Sequence, residues 1–191
     1  MLLDQRQFLV KERAGVFKLA DTYDIFDPAT QRQIGIAKEE VPGWMKLLRL
    51  LVSKNLMPTT VNVYEREGAQ PVLTLRRNVA LFRPSVRVTD ARYKEIGRLQ
   101  GKVFSLGGGF LIFDSSGRQF ADVKGDWKGW NFQILSTSGS ELGVVTKKWA
   151  GIGKELFTSA DNYMVSLNDA GNAGLLLAAA LAIDLVFKEK K

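Results

Sequence analysis

Residues 173–187 read AGLLLAAALAIDLVF. The composition is that of a helix, and it is apolar on every side. A helix with no polar face has to be buried. At about 1.5 Å per residue the stretch spans about 22 Å, whereas a bilayer core is about 30 Å thick and takes about 20 apolar residues. Asp184 interrupts the run, and Lys188, Glu189, Lys190 and Lys191 close it. The small residues Ala173, Gly174, Ala178, Ala179, Ala180 and Ala182 make a thin rod that strands can approach closely. The expectation is a buried core helix with Leu175, Leu176, Leu177, Leu181, Ile183 and Asp184 inside a cavity supplied by the rest of the chain. A short membrane anchor is the competing reading.

The middle of the chain supplies strands. Tyr23–Asp27 leads through Pro28 to Ile34–Ile36, and Val61–Tyr64 leads through Gly68 to Val72–Leu75. Val86–Asp90 precedes Ile96–Leu99, Phe110–Asp114 precedes Phe120–Val123, and Trp130–Ile134 precedes Leu142–Val145. Apolar and polar residues alternate within each unit, and Gly, Asp, Ser and Pro fill the gaps, which reads as hairpins with one buried face. With strands near the N-terminus and around Tyr163 the count reaches about a dozen, the pattern of an all-β sandwich or barrel. Many strands need their edges closed, and an apolar helix needs a sheath. The predicted fold is therefore mainly β: an antiparallel barrel of about twelve strands around the C-terminal helix, one domain over 1–191. Asp184 then requires partners, with a place near the barrel mouth, capped by an arginine or by backbone N–H groups.

Composition narrows function. The chain has no cysteine and no histidine. That removes disulfides, thiolate chemistry, palmitoylation, the Ser-His-Asp triad and the commonest transition-metal ligand. A non-enzymatic role is expected, with no cofactor and no metal. Asp4 and Arg6 interrupt any signal-peptide core, so the expected location is cytoplasmic, with peripheral contact at the membrane. The net charge is +7, and Arg76, Arg77, Arg83, Arg87, Arg92 and Arg98 crowd one stretch. Basic clusters attract phosphate on lipid head groups or nucleic acid, although a solvated strand face would carry the same residues.

A second segment follows Pro42-Gly43. In Trp44–Lys54, Lys46, Arg49 and Ser53 share one helical face, and Trp44, Leu47, Leu48, Leu51 and Val52 share the other. Such a basic amphipathic helix can lie in a membrane interface, or can plug a barrel end. The candidate lipid- or anion-binding residues are Lys46, Arg49, Lys54, Arg76, Arg77 and Arg83. The candidate membrane-contact residues are Trp44, Leu47, Leu48 and Leu51.

Other motifs fail on inspection. Gly151-Ile152-Gly153-Lys154-Glu155 lacks the first glycine and the Ser or Thr of a P-loop. Gly107-Gly108-Gly109 reads as a turn, and Trp127-Lys128-Gly129-Trp130 as core packing at a hairpin bend or as a stacking platform.

The order of parts resembles the phospholipid scramblase and LURP-one-related branch of the tubby C-terminal-like superfamily. The resemblance rests on the hairpin series, Lys147–Gly151, Lys154–Thr158, Ala160-Asp161-Asn162-Tyr163, and the apolar helix with Ile183-Asp184. It covers nearly everything after Asp21 and is most specific in the last fifty residues. It implies a twelve-stranded barrel around a central helix, and a superfamily in which phosphoinositide binding occurs. Scramblases also carry a proline-rich N-terminal region and a cysteine-rich segment that this chain lacks. Ser159 stands where they have the first acid of a segment in their calcium-binding region. Only Asp161, Asn162, Asn168 and Asp169 are near it here, few oxygens for calcium, and turn and capping roles are the simpler expectation. Three functions follow: a domain binding anionic phospholipid at a membrane surface, a true transbilayer scramblase, or a soluble interaction domain. The length of the helix and Asp184 weigh against the second, and nucleic acid has only positive charge in its favour.

Overall fold

A computed structural model describes residues 1–13, 20–48, 57–79, 84–102, 109–126, 129–147, 162–169 and 171–187. After a 3-10 turn at Leu2–Asp4, twelve strands follow in chain order. They are β1 (Gln7–Glu12), β2 (Thr22–Phe26), β3 (Gln33–Glu40), β4 (Thr59–Tyr64), β5 (Leu73–Arg77), β6 (Ser85–Asp90), β7 (Glu95–Gly101), β8 (Gly109–Asp114), β9 (Gln119–Asp126), β10 (Asn131–Ser136), β11 (Glu141–Thr146) and β12 (Asn162–Leu167). Two α-helices complete the described chain, α1 (Gly43–Leu48) and α2 (Ala173–Phe187). Consecutive strands pair antiparallel, and β1 pairs with β12, so the sheet closes into a barrel without edges.

The period of two decides which side chains line the barrel. Phe8 and Val10, Tyr23 and Ile25, Val61 and Val63, Leu73 and Leu75, Val86 and Val88, Phe132 and Ile134, and Tyr163 and Val165 join one buried cluster with α2. The helix is the axis of that cluster. Leu176, Leu177, Ala178, Ala179, Ala180, Ala182 and Ile183 have no exposed surface, and Leu175, Leu181 and Asp184 are also buried. The expected core helix is present. Among the described residues no helix is long and apolar enough to cross a membrane.

Close approach of strand and helix has a sequence cause at Gly97 on β7. A Cβ there would lie 2.5 Å from the Phe113 carbonyl oxygen and 2.8 Å from Leu175 Cδ1. Real Cβ atoms do not come so near, and the carbonyl belongs to a paired strand that has little room to yield. Gly97→Ala is expected to cost about 2–3 kcal/mol through overpacking. Urea unfolding would read this, and a cost below about 0.5 kcal/mol would mean the wall is softer than drawn.

The helix carries one acid, and it is satisfied inside. The Tyr23 hydroxyl donates to Asp184 Oδ2 at 2.5 Å. A phenol on β2 is thus one partner of Asp184, beside the arginine or backbone N–H cap expected from the sequence. An arginine does hold the same end of the helix. Arg77 Nη1 donates to the Leu185 carbonyl at 2.7 Å, and Nη2 donates to Thr59 Oγ1 at 3.1 Å. The C-terminal end of α2 therefore lies at the barrel end where β3 finishes, β4 begins and β5 finishes.

The opposite end is closed by a repeated turn. Asp90 Oδ1 accepts from the backbone N–H groups of Arg92 and Lys94, and Asp114 Oδ1 from those of Ser116 and Arg118. Ser136 Oγ accepts from the N–H of Ser140 in the same way. The residue three beyond the acceptor has positive φ in all three: Gly117 at 81°, Gly139 at 88° and Tyr93 at 60°. Two of these turns use glycine where the backbone demands it. The third holds a tyrosine there, at a conformational cost of roughly 1–2 kcal/mol.

Candidate functional site

Period and register together assemble one row of side chains across the outer wall. Leu73 and Leu75 face the core from β5, so Arg76 between Leu75 and Arg77 faces out, and Arg77 faces in. Arg76 is exposed and Arg77 is 5% exposed. Arg76 is the direct cross-strand partner of Arg87 on β6, and Arg87 of Arg98 on β7. Both of these are exposed. On one side the row continues through Thr60, the partner of Arg76, to Glu40, the partner of Thr60. On the other side Arg98 pairs with Phe113, with its guanidinium 5.3 Å from the ring centroid.

Three arginines on neighbouring strands, about 5 Å apart at the backbone, repel one another. Part of that repulsion is relieved. Arg87 Nε lies 3.1 Å from Glu95 Oε2, an exposed pair, and Arg98 leans on Phe113. Arg76 has no ion-pair partner among the described residues. The row is a concentrated positive field on a rigid wall, able to take an anion with several oxygens.

Apolar residues mark the nearest barrel end. Trp44, at the start of α1 just beyond the end of β3, is 65% exposed. Val79, just beyond the end of β5, is 54% exposed. Both large side chains sit where Glu40 and Arg76 approach the strand ends.

The sequence-predicted site residues are distributed as follows. Trp44 and Arg76 face solvent at the site. Lys46, Leu47 and Leu48 belong to α1. Arg49, Leu51, Lys54 and Arg83 lie outside the described residues. Arg77 is a correction: its guanidinium is spent inside the barrel on the end of α2 and on Thr59, so it does not face a head group. Arg87 and Arg98 also belong to the site, although in the sequence they stand out only as part of the charged stretch. The signal that finds them is strand register.

The calcium candidates do not converge among the described residues. Asp169 accepts from the Gly171 N–H and from Asn172 Nδ2, both at 2.8 Å, shaping the turn into α2. Asn168 Nδ2 donates to the Glu141 carbonyl at 3.2 Å, Asn162 is buried, and Asp161 lies outside the described residues. No group of three or more potential metal ligands forms among the described residues. Trp130 is buried against Tyr163 and Phe132, with ring centroids at 5.4 and 5.9 Å, and Lys147 Nζ stands 4.2 Å from its ring. It is core, while Trp127 and Lys128 lie outside the described residues.

Inside the barrel, Tyr23 and Tyr163 are held protonated. Burial, and then the nearby Asp184, pushes both phenols well above the ordinary tyrosine range. In the unfolded chain they would release protons near pH 10. Above that pH the unfolded state binds fewer protons than the folded one, so stability falls as pH rises. Stability is expected to hold up to about pH 10 and drop beyond it, more gently in Tyr163→Phe. A flat pH–stability curve to pH 11 in denaturant titrations would contradict the buried tyrosines (about one pH unit past the ordinary tyrosine pKa).

Compared with known protein families, residues 3–190 match the family model described as Scramblase. Searches of curated proteins and of solved structures gave no match.

Proposed function

The chain belongs to the Scramblase family, and on that premise we propose that it is a non-enzymatic domain that docks on anionic phospholipid from the cytoplasmic side. The observation that carries this reading is the Arg76–Arg87–Arg98 row beside the exposed Trp44 and Val79. Arginines supply forked donors to phosphate oxygens. A tryptophan at the same end supplies the amphipathic ring favoured at head-group depth. Head groups with more than one phosphate, such as the phosphoinositides implied by the tubby-like resemblance, match a row of three cations best. The buried helix takes no part in this reading and stays in the barrel.

Co-sedimentation with vesicles tests it. Tighter binding to anionic than to neutral vesicles, with the difference removed by salt, is the expected result. Equal, salt-resistant binding to both vesicle types would point to apolar insertion. No binding to either would leave a soluble interaction domain.

A further inference from the structure

The outer wall also carries a groove on the Glu40 side of Arg76. It has a volume of about 350 Å³ and is lined by Glu40, Thr60, Tyr64, Arg76, Tyr93 and their neighbours. Opposite charges stand at Glu40 and Arg76, two strands apart with Thr60 between them, and no ion pair joins them. At about 4.8 Å per strand their backbones are about 10 Å apart. The acid is firmly placed: Asn62 Nδ2 donates to its Oε1 at 2.5 Å and the Tyr64 hydroxyl at 3.1 Å. Thr74 in turn donates to Asn62 Oδ1 at 2.7 Å, both side chains buried. A chain of hydrogen bonds running in from the buried Thr74 thus holds a carboxylate at the groove, with a tyrosine beside it.

The second observation is independent. Tyr93 lines the same groove at φ 60°, in a turn whose two counterparts use glycine, and it is 68% exposed. No core contact accounts for that side chain. Strain of this kind clusters at ligand clamps and active sites, and of the three described non-glycine residues with positive φ, Gln31, Tyr93 and Trp130, Tyr93 lines this groove.

We propose that this groove binds a phosphate ester that also carries a cationic amine, as phosphocholine does. The phosphate takes the Arg76 guanidinium and the Thr60 hydroxyl. The ammonium sits on the Glu40 carboxylate, with the Tyr64 and Tyr93 rings available as π faces. Such a dipolar ligand spans the gap that Glu40 and Arg76 leave open. The site goes beyond docking on anionic lipid, since Glu40 would repel a purely anionic head group.

The test is a titration of the full chain, read by backbone amide shifts, with phosphocholine as the probe. Glycerol 3-phosphate and choline each carry half of it. Phosphocholine is expected to bind at least tenfold more tightly than either half. Glu40→Gln, which keeps an oxygen for Asn62 and Tyr64, is expected to weaken it at least fivefold. Tyr93→Gly is expected to weaken it while raising the melting temperature, a pairing that a merely structural tyrosine would not give. Neutral phosphatidylcholine vesicles form the second arm. Saturation by dissolved phosphocholine identifies a soluble ligand, and binding confined to the vesicles identifies a lipid head group. Binding in neither arm, glycerol 3-phosphate matching phosphocholine, or an unaffected Glu40→Gln would overturn the proposal. The docking reading fails separately, because neither Glu40→Gln nor Tyr93→Gly is expected to weaken salt-sensitive binding to anionic vesicles.

Discussion

Arg77→Leu is expected to cost about 3 kcal/mol of folding stability or more, and Arg76→Leu, one residue away, less than about 0.5 kcal/mol. The difference lies in direction. Arg77 is 5% exposed and donates to the Leu185 carbonyl, to Thr59 and, at 3.5 Å, to the Met57 carbonyl. The last carbonyls of a helix have no partner within it, and those of α2 are inside an apolar barrel where water does not replace a lost donor. Leucine would fill the volume and leave these oxygens unpaired, each at about 1–3 kcal/mol. It would also remove a cation from the negative end of the helix dipole. Arg77→Lys should recover only part of the loss, because an ammonium cannot reproduce the forked spacing of the guanidinium. Urea unfolding gives the three stabilities. Hydrogen exchange should show the last turn of α2 opening in Arg77→Leu before the strands do. Equal costs for Arg76→Leu and Arg77→Leu would mean that the arginine does not hold the helix.

This contrast also shows what a sequence reveals and what it withholds. The apolar run 173–187 is legible as a buried helix because it has no polar face and is short for a bilayer, which weighs against the competing anchor. The hairpins were legible because each pairs alternation with turn residues, and the pairing of consecutive strands follows. The direction of Arg77 was in fact readable: Leu73-Thr74-Leu75-Arg76-Arg77 places residue 77 with the two leucines. Two adjacent arginines have the look of one charge patch, although alternation sends them to opposite faces. The row of Arg76, Arg87 and Arg98 is different. It needs the register of two hairpins, and those depend on turn lengths and on a bulge between Val88 and Thr89. Tyr93 had a faint signal, since Asp114-Ser-Ser-Gly117 and Ser136-Thr-Ser-Gly139 align with Asp90-Ala-Arg-Tyr93. Its exposure and its groove come only from folding. The Tyr23 hydroxyl that donates to Asp184 lies on β2, 161 residues away, and no local pattern points there.

The triple variant Arg76→Gln, Arg87→Gln, Arg98→Gln is expected to bind anionic vesicles about a hundredfold more weakly than the parent chain. A basic residue near an anionic surface is worth about 1 kcal/mol. Three of them amount to about 3 kcal/mol, or roughly two powers of ten in affinity. The loss should be largest at low salt and shrink as the Debye length falls below about 10 Å. Stability should move the other way or stay level, because like charges directly opposite on paired strands destabilise them. The exposed Arg87–Glu95 pair and the exposed stacking of Arg98 on Phe113 are lost in exchange, and such surface contacts contribute little. This opposition separates the reading from a general weakening of the fold, which would lower affinity and stability together. Trp44→Ala supplies the complementary axis: it should reduce binding several-fold without altering the salt dependence, since it removes apolar contact and no charge. If the triple variant sediments like the parent while Trp44→Ala abolishes binding, the row is a solvated strand face and insertion at the barrel end is what holds the protein to the membrane.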